Sequence, residues 1–97
     1  MMQYSKDKNR IEVQLPGDFN LNAVRLISEQ LGDRKYLRID LSRANFVNSK
    51  AIIFLHKLMF GEKKVTVRLK DPPKLFFELL QTLGLHTEWN LDKIVEP

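Results

Sequence analysis

The segment Leu37-Arg-Ile-Asp-Leu-Ser-Arg-Ala-Asn-Phe-Val-Asn-Ser-Lys-Ala-Ile52 holds the architectural unit of this chain. Leu37, Ile39 and Leu41 alternate with Arg38 and Asp40, the period of a strand that buries one face. A short, mostly polar turn follows. Ala51, Ile52, Leu55, Leu58 and Met59 then recur at helical spacing and form an apolar stripe. A strand that feeds a helix through a compact turn is the building block of βαβ folds. The same junction puts Asn48, Ser49 and Lys50 at a helix N-terminus, where backbone N–H groups lack intrahelical partners. Such a place can hold an anion, a phosphate or a partner side chain, and Asn48 or Ser49 can equally serve as the helix cap.

The flanking sequence repeats the pattern. Arg10 to Leu15 alternates with Ile11, Val13 and Leu15 on one face and stops at Pro16-Gly17. Met1 to Ser5 can add an edge strand that turns back through Lys6 to Asn9. Asn20 predicts the cap of a helix running to Leu31, with Ala23, Val24, Ile27 and Leu31 on its stripe and Gly32 as its stop. Lys64 to Leu69 is a further strand. Asp71-Pro72-Pro73 predicts the next helix start, an N-cap followed by prolines in the first turn, with Leu75, Phe76, Leu79, Leu80 and Leu83 facing the core. In the tail, Trp89 and Leu91 suit an edge strand, whereas Leu91 to Val95 suits a helical turn. The expected fold is a single α/β domain over residues 1–97. It has a mixed four- to five-stranded sheet, an N-terminal edge strand and about three helices.

Composition narrows the function classes. The 97 residues are 43% hydrophobic and 29% charged, the balance of a globular domain rather than a disordered one. There is no cysteine, which removes disulfides, zinc–thiolate sites and thiol nucleophiles. No apolar run is long enough to span a bilayer and no secretory signal opens the sequence, so a cytoplasmic protein is expected. Net charge is +4, a mild excess. The pairs Arg34-Lys35 and Lys63-Lys64 fall beside turns rather than among aromatics, which disfavours nucleic acid as the partner. His56 and His86 have no ligand-spaced neighbours, no glycine-rich loop matches a phosphate cradle, and the carboxylates are scattered singly. No catalytic residue, metal or cofactor is therefore expected, and a binding module is favoured over an enzyme.

The second helix carries the binding signal. Ile53, Phe54 and Phe60 project away from its core stripe among Lys50, His56 and Lys57. Ile53 and Phe54, flanked by two lysines and next to the Asn48–Lys50 turn, form a candidate partner face. The competing reading is that the two phenylalanines tuck sideways against neighbouring elements, and it applies most readily to Phe60.

Ile39-Asp-Leu-Ser42 and Phe46-Val-Asn-Ser-Lys-Ala-Ile52 resemble the central motif of STAS domains, the anti-sigma factor antagonist family. The usual form there is a strand ending Asp-Leu-Ser, then an apolar pair, then Asp-Ser-Ser-Gly-Leu opening a helix. Lys64 to Leu69 and Pro73 to Leu85 are similar to that family's last strand and helix, so the resemblance covers most of residues 10–91. It implies a cytoplasmic bacterial regulator in a partner-switching system, whose partner is an anti-sigma factor or histidine-kinase-like ATPase. By position, Asn48 replaces the acidic residue, Ser49 and Lys50 fall on the two serines, and Ala51 and Ile52 fall on Gly-Leu. Lys50 cannot accept phosphate. The resemblance therefore implies docking through Asn48, Ser49, Lys50, Ile53, Phe54 and Lys57 without the usual phospho-switch, Ser49 being the remaining candidate phosphoacceptor. Two alternatives stand beside it: a STAS subunit of a transporter ATPase complex, and a basic module for nucleic acid or anionic surfaces.

Overall fold

The computed structural model describes residues 1–97. Its elements are β1 (Gln3–Lys6), β2 (Arg10–Gln14), α1 (Leu21–Leu31), β3 (Tyr36–Asp40), α2 (Ser49–Phe60), β4 (Thr66–Lys70), α3 (Lys74–Thr82), the one-turn α4 (Leu91–Ile94) and β5 (Val95–Glu96). The five strands form one sheet in the order β1-β2-β3-β4-β5. β1 pairs antiparallel with β2 through a turn in which the Asp7 carboxylate accepts from the Asn9 and Arg10 amides. The remaining pairs are parallel.

From β2 onward each crossover steps one strand in the same direction across the sheet. Right-handed crossovers that all advance the same way place their helices on one face. The strand burial pattern follows from this. Ile11, Val13, Leu37, Ile39, Val67 and Leu69 are buried beneath the helices, while the residues between them face outward. All 23 buried residues are hydrophobic and belong to one cluster. The opposite face is a polar surface on which Glu12, Arg38 and Arg68 lie in one cross-strand row, and Gln14, Asp40, Lys70 and Glu96 in the next. There the Arg38 guanidinium donates to both Glu96 carboxylate oxygens, Nε at 2.6 Å and a terminal nitrogen at 2.9 Å, tying the C-terminus to the middle of the sheet.

α1 forms as its sequence predicts: the Asn20 side chain accepts from the Ala23 amide at 2.9 Å, and Gly32 leaves the helix at φ +55°. α3 differs. Asp71 is not its cap but a turn residue at φ +50°, and the helix begins at Lys74 with extended Pro73 at the N-cap position. Pro73 clashes with a helical conformation of Pro72, which therefore cannot take the first helical position that an Asp71 cap requires. The tail combines its two expected forms. Leu91 to Ile94 is a helical turn, and the edge strand that follows is Val95-Glu96 rather than Trp89 and Leu91.

Candidate protein-docking site

The loop between β3 and α2 is held at both ends. At its start the Asp40 carboxylate accepts from the Ser42 amide at 2.9 Å, and the Leu41 amide donates to the Lys70 carbonyl at 2.8 Å. Burial acts most strongly on the Asp40 carboxyl and pushes its pKa up. The Ser42 hydrogen bonds and the charges of Lys70 and Arg38 outweigh that effect and hold it below the ordinary carboxylate range. In mid-loop, one Asp18 carboxylate oxygen accepts from both the Asn45 and Phe46 amides at 3.0 Å. Phe19 and Val47 then form a parallel bridge: the Phe19 amide donates to the Phe46 carbonyl, and the Asn48 amide to the Phe19 carbonyl. The approaches to α1 and α2 are thus laced together.

Asn48 settles the capping question. Its side chain accepts from the Lys50 amide at 2.8 Å, and its carbonyl from the Ala51 amide at 2.9 Å. Ser49, the first helical residue, is exposed, and its hydroxyl is not needed for the cap. Ala51, Ile52, Leu55 and Leu58 face the core, with Met59 partly buried beside them. Lys50, Ile53, Phe54 and Lys57, at helical spacing i, i+3, i+4 and i+7, together line a shallow, solvent-open depression on another side of the helix. The two lysines are exposed and the two apolar residues half-buried. Phe54 rests partly on the core cluster, whereas Ile53 lies outside it. The structure therefore brings four of the six sequence-predicted residues, Lys50, Ile53, Phe54 and Lys57, into one depression along α2, while Asn48 and Ser49 sit at the helix N-terminus as its cap and first residue.

The remaining apolar residue of the helix, Phe60, parts company with them. It is 47% exposed, one turn beyond Lys57, with its ring 4.7 Å from that of His56, so it does not tuck under a neighbouring element. His56 accepts at Nδ1 from the Trp89 indole N–H at 3.0 Å and faces Glu88 at 3.7 Å. Trp89 itself is only 3% exposed and packs near Phe76. His56 is thus a tethered residue beneath the tail rather than a free helix-surface side chain.

Two contributors to this end of the molecule had no sequence signal of their own. Asp18 acts on amides 27 and 28 residues away, so nothing local marks it. Phe46 is 50% exposed beside buried Val47, and an adjacent apolar pair does not reveal which member turns outward. No group of three or more His, Asp or Glu side chains is placed to hold a metal ion. No helix is long and apolar enough to cross a membrane.

No family model matches this sequence, and neither does any curated protein. Among solved structures, the anti-sigma factor antagonist SpoIIAA in its unphosphorylated form is similar to it, with a TM-score of 0.64 over 84% of this chain and 82% of that one. Sequence identity in that match is 15%, so the likeness resides in the path of the backbone and not in shared side chains. The five-stranded mixed sheet with its helices on one face is a STAS-like fold, as in an anti-sigma factor antagonist.

Proposed function

We propose that this chain is a regulatory protein-binding module of the anti-sigma factor antagonist type. It docks a partner of the anti-sigma factor or histidine-kinase-like ATPase class through the Asn48–Lys50 turn and the Ile53, Phe54 and Lys57 side chains. The observation that carries this reading is the depression on α2, where two half-buried apolar side chains sit between two exposed lysines beside a rigidly held turn. No other segment of the chain lines that depression, so its apolar floor and both lysines are open to a partner. The SpoIIAA-like fold supports the class of partner. Lys50 gives the turn a fixed positive charge, and docking is constitutive.

The test uses the full chain and the anti-sigma-type ATPase of the same organism. Ile53→Asp is expected to abolish complex formation by calorimetry while leaving the melting temperature of the free chain nearly unchanged. Undiminished binding by that variant would overturn the assignment of the face. Intact-mass measurement of the chain from its native cells checks the constitutive part, which stoichiometric phosphate on Ser49 would remove.

A further inference from the structure

We infer that the partner presents to this face an acidic amphipathic segment, with an apolar side chain seated on Ile53 and Phe54 and carboxylates meeting Lys50 and Lys57. This rests on the docking role proposed above and names the chemistry of the partner surface. Lys50 and Lys57 are seven residues apart on one face of α2, about 10.5 Å along the helix axis at ~1.5 Å per residue. The apolar pair lies between them. A partner helix with its anchor three or four residues from a carboxylate on either side reproduces that spacing in mirror image.

Charge supplies the sign. α2 contains no acidic residue, and neither lysine's ammonium has a carboxylate within ion-pairing distance or donates a side-chain hydrogen bond to the protein. Many other cations of the molecule are engaged. Arg25 binds Glu29 and Asn22, Arg38 binds Glu96, Lys35 donates to the Lys63 carbonyl, and Lys63 donates to the Gly32 carbonyl. The N-terminal end of the α2 dipole adds partial positive charge beside Lys50. A basic segment would meet repulsion at both ends of the depression. Nucleic acid is a poorer fit, because single-strand binding uses several aromatic stacking planes along a broad cationic track, and this face has one half-buried ring, Phe54, and two lysines.

The probe is a pair of side-chain-stapled helical peptides of about four turns, identical except for charge. Each has central leucines; one flanks them with glutamates and the other with lysines. Titrated into the isotope-labelled chain, the acidic peptide is expected to give saturable amide shifts centred on Lys50, Ile53, Phe54 and Lys57. It should bind at least about fivefold more tightly than the basic one, as two exposed charge pairs allow. Lys50→Glu with Lys57→Glu should reverse that preference without changing the melting temperature. Equal affinities, shifts centred elsewhere, no saturable shift, or a preference that survives the double charge reversal would each overturn the inference. So would stronger occupation of the same amides by anionic vesicles or a single-stranded oligonucleotide. If Ile53→Asp abolishes binding of the ATPase while the two peptides bind alike, the docking role stands and the acidic chemistry falls.

Discussion

On one flank of α2, His56 lies against the tail, where the Trp89 indole reaches back 33 residues to donate to it. On the other flank, Lys50, Ile53, Phe54 and Lys57 line a depression that no later segment covers. In the sequence these flanks look alike, since His56 and the two lysines are all polar residues off the core stripe of the same helix. The difference is that a distant segment of the chain engages His56, and none lines the other flank. A side chain off the core stripe thus becomes evidence for a partner only once the chain's own distant segments have been accounted for.

Removing the cover is the most disruptive way to erase that distinction. Trp89→Ala deletes a buried indole that touches both His56 and Phe76, and is expected to cost about 3–5 kcal/mol in urea unfolding. The open flank is itself graded. Phe54 rests partly on the core, so Phe54→Asp should lose about 2 kcal/mol of stability together with binding. Ile53→Asp should spare most of the stability. Equal losses from the two variants would show that Ile53 is as much a core residue as Phe54. Trp89→Phe keeps the apolar cover but removes the donor to His56, and should cost about 1 kcal/mol in the same assay.

The anchor of the tail gives a comparably small effect, with a dependence on pH. The hydrogen bond from Arg38 is the main reason the Glu96 carboxyl is held below its ordinary pKa, with burial opposing it and the Arg38, Arg68 and Lys70 charges assisting. A carboxyl depressed in the folded state contributes stability above its ordinary pKa. That contribution disappears as pH falls through the depressed folded value. Glu96→Gln should therefore lose about 1 kcal/mol near neutral pH and converge with the wild type in acid. Parallel wild-type and variant curves across that acid range would show that the pair does not anchor the tail.

Most of the framework was legible because its causes are local. The alternation of Leu37, Ile39 and Leu41, the Asn20 cap and the Gly32 exit each depend on neighbours within one turn or one strand. The α2 face was legible for the same reason, since helical spacing alone groups Lys50, Ile53, Phe54 and Lys57. What escaped was set at a distance or by competing local rules. Trp89 above His56 and Asp18 on the Asn45–Phe46 amides join residues far apart in the chain. At Asp71-Pro72-Pro73, the preference of aspartate for a cap lost to the steric demand of the second proline.

The lacing of the Phe19 and Val47 segments, by their bridge and by Asp18, bears on how a complex would form. Loops that carry recognition are ordinarily the most mobile parts of a domain, and ordering one on association costs roughly 1–2 kcal/mol of entropy per residue. Here that freedom is already surrendered when the chain folds. Association at the proposed face would then ask for little more than the stilling of a few side chains, chiefly Lys50 and Lys57. A modest contact area on α2 can in this way support a complex that a looser turn of the same composition would not hold.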